Sequence, residues 1–264
     1  MKQGIKHLLS QWYSTPLGKA VLSQEELLVD QAINNLFGYF IVQLESPCHN
    51  LMDSSRIQNK LLISSEQDQA FKSDKHYHFV AADLDYLPIG KEKVDVVLLP
   101  HTLEVADDPY YLLRQVDRVL LPEGHIVVTG FNPYGCLVLR HRWFKRHEAF
   151  TQVKLERLSR IKEWLEVLGY DVQLQKFSTV TCFAQREGAS KWMVAIEWVE
   201  NHLSKLGLKF GNVYCLVAKK RVDSPTLVGS VWKLPNWRAV PNKGSVSAVR
   251  THRVDVKRVN IKQK

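Results

Sequence analysis

The chain has 264 residues, 45% of them hydrophobic, and a formal net charge of +9. That length is enough for one large core or two modest ones, and no apolar run reaches the roughly twenty residues that a membrane-spanning helix requires. The charge is uneven: residues 219–264 hold 12 Lys/Arg against 2 Asp/Glu, whereas 1–218 hold 24 against 25, so the basic character belongs to the tail and not to the globular part.

The opening, MKQGIKHLLSQWYSTPLG, has a short apolar patch but neither a sustained hydrophobic region nor a small-residue cleavage site, and reads as part of the mature protein. Thr15 is a candidate N-cap with Pro16 in the first helical position. Leu22, Leu27, Leu28, Ala32, Ile33 and Leu36 then recur at helical spacing until Gly38. Residues 1–37 therefore form an N-terminal helical segment. Short strands are expected at 39–44, 60–64, 77–83 and 94–99, the last rich in β-branched residues, as a central parallel strand should be. An amphipathic helix follows at 108–120, then a turn at 122–124 and a strand at 125–131. The basic, aromatic stretch 139–150 reads as a loop or lid beside a cavity. A helix at 155–169 ends on Gly169 and leads into a strand at 170–177. Helical spacing near 190–206 and a strand at 212–220 complete the pattern.

Strands alternating with helices predict an α/β fold with a mainly parallel sheet over 38–221. In such sheets ligands sit at the carboxyl ends of the strands, so the abrupt polar break after Leu99 falls on the binding edge. Residues 222–264, with Pro225, Pro235 and Pro241, read as a solubilising extension. The sharper alternative is a contact to RNA or another anionic partner through 219–264, with Trp232 and Trp237 as stacking surfaces. Four scattered cysteines without a CxxC pair read as buried thiols of a cytoplasmic protein, and the histidines lack partners at metal-site spacing, so no metal site is expected.

Residues 82–131 resemble the central stretch of class I S-adenosylmethionine-dependent methyltransferases of the type 11 kind. The matching residues are Asp83, Leu87-Pro88, Val94-Asp95, His101, Leu103-Glu104, Asp108-Pro109, Arg118-Val119-Leu120 and Pro122-Glu123-Gly124. The resemblance implies a Rossmann-like sheet of seven strands, S-adenosylmethionine as cofactor, and in-line transfer of its methyl group, for which the protein supplies positioning, desolvation and in some members a base. Carried over by position, Asp83 and Leu84 contact adenine, while Pro100, His101 and Thr102 border the reaction site, with His101 the candidate catalytic group. Glu66, in the turn after the second strand, is the candidate for the ribose. Blander roles stand beside these: Asp83 capping a turn, His101 as a hydrogen-bonded structural histidine, Glu104 capping a helix. Asn132 and Tyr134 read as a turn at the cavity edge.

The family's glycine-rich E/DxGxGxG turn after the first strand is missing. Its place is taken by Glu45-Ser46-Pro47-Cys48-His49, with no glycine to let the backbone approach a ligand and a proline that has no N–H to offer. Either a rebuilt turn holds the cofactor through Ser46 or the Gln43–Glu45 backbone, or cofactor binding has been weakened or lost. The two functional expectations follow: a methyltransferase for a small-molecule acceptor, or a non-catalytic protein of the same fold that binds a partner or nucleic acid through its tail.

Overall fold

The computed structural model describes residues 3–47, 50–65, 77–144, 150, 153–178 and 211–221. The helical spacing near 190–206 and the tail 222–264 lie outside these residues. Two helices open the chain, α1 (Gln3–Tyr13) and α2 (Pro16–Ile33). Thr15 caps α2 as its sequence predicts: its side-chain oxygen accepts from the Gly18 N–H at 3.1 Å and its hydroxyl donates to the Trp12 carbonyl at 2.6 Å. The corner is tight, because a Cβ on Gly18 would lie 2.2 Å from the Trp12 carbonyl oxygen. Only glycine lets the two helices turn so sharply.

Seven strands form one sheet: β1 (Phe40–Leu44), β2 (Asn59–Ser64), β3 (His78–Ala81), β4 (Val94–Pro100), β5 (Leu120–Phe131), β6 (Tyr170–Phe177) and β7 (Val213–Lys220). Their order is β3-β2-β1-β4-β5-β7-β6. The first five run parallel, and β7 is antiparallel to both β5 and β6. The order reverses between β1 and β4, so the topological switch point lies between these two neighbours.

Alternate residues of each central strand feed two cores. Ile41, Val96, Leu98, Val127 and Cys215 pack with Leu9, Trp12, Val21 and Val29 of the N-terminal helices. Val42, Val97, Leu99, Val128 and Leu216 pack on the other face with Leu112, Leu113 and Val116 of α4 (Pro109–Val119) and Ile161 and Leu165 of α6 (Leu158–Val167). A single turn, α3 (Thr102–Val105), follows β4, and α5 (Cys136–Phe144) follows β5.

Several residues of the family-like stretch are explained by this framework alone. The Asp95 carboxylate accepts from the N–H groups of Tyr39 and Phe40 at 2.8 and 2.9 Å, which pins the start of β1 against β4. Asp108 caps α4 by accepting from Tyr110 and Tyr111, and Arg118 donates to the Leu87 carbonyl at 3.1 Å. The turn expected at 122–124 is present but lies inside β5. Leu120 pairs with Val94 and His125 with Val96, so the residues between them bulge, with Glu123 at φ 65°. Part of the stretch expected as a loop or lid, 139–144, is the end of α5 instead. Cys136 is disulfide-bonded, which corrects the expectation of four thiols, and Cys215 is a buried free thiol.

Gly18→Ala forces the added carbon into the Trp12 carbonyl and should lower stability by about 1–3 kcal/mol, the range for overpacking. Urea unfolding followed by tryptophan fluorescence checks this; an unchanged midpoint would contradict the geometry.

Candidate active site

β4 delivers Pro100 and His101 to the carboxyl edge. His101 turns the chain sharply at φ 53°, ψ 10°, a left-handed conformation uncommon for residues other than glycine. It is held there on every side. Its N–H donates to the Thr129 carbonyl at 3.0 Å, and the next residue, Thr102, donates its hydroxyl to the Leu44 carbonyl at 2.7 Å. The segment after β4 is thereby tied to the ends of β5 and β1.

The imidazole lies in a buried polar cluster assembled from four elements. Nδ1 is 2.8 Å from Glu104 Oε2 of α3, and Nε2 is 2.7 Å from the Tyr13 hydroxyl of α1 and 3.1 Å from Glu25 Oε2 of α2. Tyr13 donates to Glu25 Oε2 at 3.1 Å, and Thr129 donates to Glu25 Oε1. The second Glu104 oxygen accepts from the Phe131 N–H. His101 and Glu25 have no exposed surface.

Carboxylates only accept, so the arrangement fits an imidazolium donating from both nitrogens. Burial pushes the His101 pKa down, but the Glu25 charge, then the Glu104 charge and the hydrogen bonds to both, outweigh it and raise it to about 10. Burial also acts to raise Glu25, yet the His101 charge and the bonds from His101, Thr129 and Tyr13 bring its pKa below the ordinary value. At Glu104 burial prevails over the same partner, and its pKa is raised.

A second charged cluster lies beside the first, at the ends of β1 and β2. Glu45 follows β1 at φ 33°. Its Oε1 is 2.6 Å from the Lys6 ammonium of α1, and both side chains are buried. Lys6 also donates to the Ser64 hydroxyl at 3.0 Å, while Ser64 and Ser65 donate to the Glu45 carboxylate. Gln43, within β1, accepts the Leu51 N–H at 2.9 Å on its side-chain oxygen and folds the following loop back on the strand. With Gln43 at the acidic position of the E/DxGxGxG pattern, Glu45 and Pro47 occupy the first two glycine positions. The glycine-like backbone is kept at Glu45, but a carboxylate side chain now fills the space beside it.

The sequence-derived site residues divide accordingly. Pro100, His101, Glu45 and Ser46 are together at the switch point, and all are buried. Asp83 is exposed beyond β3, where its carboxylate accepts from the Asp85 N–H at 3.1 Å, and Leu84 beside it is a core residue. Glu66 lies outside the described residues. Both ring nitrogens of His101 are engaged by Glu104, Glu25 and Tyr13, so neither is open to a substrate proton in this arrangement. Asn132 organises a turn, accepting from Tyr134 and donating to Gly211. The Lys6–Glu45 pair sits over the adjoining ends of β1 and β2, and the methionine end of the implied cofactor, placed there, does not fit this arrangement.

Sequence reasoning missed Lys6, Tyr13, Glu25 and Thr129, and it offered Gln43 only for its backbone. A signal existed for two of them. Glu25 interrupts the buried stripe of Val21, Leu22, Val29 and Ala32 on α2, and Lys6 sits among Ile5, Leu9 and Tyr13 on α1. A charge on an apolar helix face has a buried partner.

The cluster makes stability depend on pH with a defined sign. His101 has a folded pKa of about 10, above its unfolded value, so its contribution is complete below about pH 6.5 and is lost as pH rises through 10. Glu25 acts in the opposite direction: its contribution is present above its unfolded value and is lost in acid. Urea unfolding between pH 7 and 10 should show a steeper loss of stability for the native chain than for His101→Gln, and parallel curves would refute the assigned imidazolium.

Comparison with known proteins agrees with the geometry. Residues 49–128 match the methyltransferase domain family, beginning at the last position of the turn where the glycine-rich motif would be. YafS of Escherichia coli (strain K12), an uncharacterized protein, is 30% identical over 162 residues, covering 61% of this chain and 65% of that one. The malonyl-[acyl-carrier protein] O-methyltransferase of Marinomonas sp. (strain MWYL1) is 24% identical over 125 residues, 47% of this chain and 44% of the enzyme. The matched region thus spans less than two thirds of either relative. The structure of a SAM-dependent methyltransferase from Thermotoga maritima superposes with a TM-score of 0.59 at 14% identity, covering 82% of this chain and 100% of that one, which speaks to the fold. Residues 49–128 thus resemble a methyltransferase domain, and the sheet has the fold of S-adenosylmethionine-dependent methyltransferases of known structure.

Proposed function

We propose that the chain is an S-adenosylmethionine-dependent methyltransferase acting on a small-molecule acceptor at the carboxyl edge between β1 and β4. The observation that carries this reading is the His101–Glu25–Glu104 cluster at the switch point. Each buried ion costs several kcal/mol of desolvation, and well-packed apolar residues of similar volume are often at least as stable. A fully hydrogen-bonded ionic cluster at the edge where this fold binds its ligands is therefore better explained by function than by stability.

In this reading His101 acts through position. It fixes the left-handed turn at the end of β4 and sets Pro100 and Thr102 against the end of β1. The exposed Asp83 carboxylate is the adenine contact. The basic tail serves as a solubilising extension, with a contact to RNA or another anion as its sharper alternative. No helix among the described residues is long and apolar enough to cross a membrane.

A specific observation favours a second reading, a non-catalytic protein of this fold: Lys6 and Glu45 fill the space that the methionine end of the cofactor would take. Calorimetric titration of S-adenosylhomocysteine into the native chain and Asp83→Ala separates the two. The enzyme reading expects saturable micromolar binding, weakened at least tenfold in the variant. Absence of heat and of any thermal shift at millimolar ligand would leave the non-catalytic reading.

A further inference from the structure

We propose that the surface running from Tyr134 across Arg157 and Arg160 to Trp164 binds single-stranded RNA, separately from the basic tail. None of these residues belongs to the His101 or Lys6 clusters, so the proposal stands apart from both readings of the site. Charge is the first argument. Residues 139–162 hold 8 Lys/Arg against 2 Asp/Glu, whereas the rest of 1–218 holds 16 against 23. A basic block in an otherwise acidic body is complementary to a polyanion.

The second argument is how the cations are laid out. β4 and β5 leave the sheet at its carboxyl edge, so α4 and α6 both follow from that edge, and they pack together on one face. Arg157, Arg160 and Trp164 are three and four positions apart and lie along one stripe at the start of α6. The Arg157 guanidinium lies over the Tyr134 ring, 5.8 Å from its centroid, and the Arg160 guanidinium over the Trp164 ring at 5.1 Å. Trp164 in turn meets Tyr110 of α4, with ring centroids 5.9 Å apart. Glu156, beside them, is buried and shared between Lys154 at 3.3 Å and Arg160 at 3.4 Å. Arg157 has no ion pair among the described residues, and Tyr134 keeps 54% of its surface exposed. Alternating guanidinium groups and rings offer forks for phosphates and flat faces for bases. An acidic peptide would need the charge alone. A duplex hides its base faces, so the fit is to the unpaired bases that RNA loops and ends present.

The test separates stacking from charge. A short, fluorescein-labelled single-stranded RNA of mixed sequence is titrated at several salt concentrations into the full chain, Tyr134→Ala, Arg157→Ala and Arg157→Lys, and read by anisotropy. Tyr134→Ala should weaken binding about fivefold or more at an unchanged salt slope, because a stacked base is lost but no phosphate contact. Arg157→Ala should weaken binding and make the slope shallower by about 0.7. Arg157→Lys should keep the slope and still bind more weakly than the native chain. Polyglutamate at equal charge should displace the RNA poorly. In parallel, RNA carrying 4-thiouridine is photo-crosslinked to the native chain, and the modified peptides are identified by mass spectrometry. Crosslinks at Tyr134 or Trp164 are expected, and this arm decides the matter if a variant does not fold. Crosslinks confined to 222–264, affinity unchanged in Tyr134→Ala, displacement by polyglutamate at equal charge, or no binding at all would overturn the proposal.

Discussion

A buried imidazolium between two carboxylates is the constraint on which the carboxyl edge depends. His101 belongs to the turn after β4, Glu104 to α3, Glu25 to α2, and Tyr13, which bonds both His101 and Glu25, to α1. One ring thereby fastens three helices to the middle of the sheet. Its neighbours are shaped to it: a Cβ on Gly130 would lie 2.4 Å from the Tyr214 hydroxyl and 2.9 Å from Glu104 Oε1, so only glycine leaves room for both. Phe131 covers the ring with centroids 4.3 Å apart, which keeps water out and strengthens the charge interactions within.

The N-terminal helices decide what the edge presents. The parallel strands build the switch point, but α1 and α2 supply Lys6, Tyr13 and Glu25, the charged and polar groups that close it. The cluster at β4 and the pair at β1 are adjacent, and both draw on α1. A change at one is felt at the other because the two share a helix, α1, packed through Ile5, Leu9 and Trp12 into the core. The missing glycine turn and the buried lysine are one feature in this account: the glycine-like backbone survives at Glu45, and its side chain has acquired a partner.

Local patterns made most of the fold legible. The cap at Thr15, the apolar run of β4 and the stop at Gly169 act over a few residues, and each appears where the sequence places it. The turn inside β5 was legible as a turn but not as a bulge, because pairing with Val94 and Val96 is a long-range property. The site was less legible for the same reason. His101 meets Glu25 across 76 positions and Tyr13 across 88, and no spacing rule connects residues so distant. What the sequence did offer was the anomaly of a glutamate and a lysine on buried helix faces. It marks that a partner exists but not which one. The residues taken from the family pattern divided along the same line, since Asp95, Asp108 and Arg118 serve the framework.

The most direct test of this account is the protonation of His101 in the folded chain. Imidazole nitrogen NMR of the protein labelled with ¹⁵N-histidine, recorded at pH 8 and compared with His101→Gln to assign the signal, reads both nitrogens at once. Two protonated nitrogens at a pH where free histidine is neutral would establish the ion held between Glu25 and Glu104. One protonated and one bare nitrogen would show a neutral ring, and the electrostatic hub proposed for the sheet edge would fall.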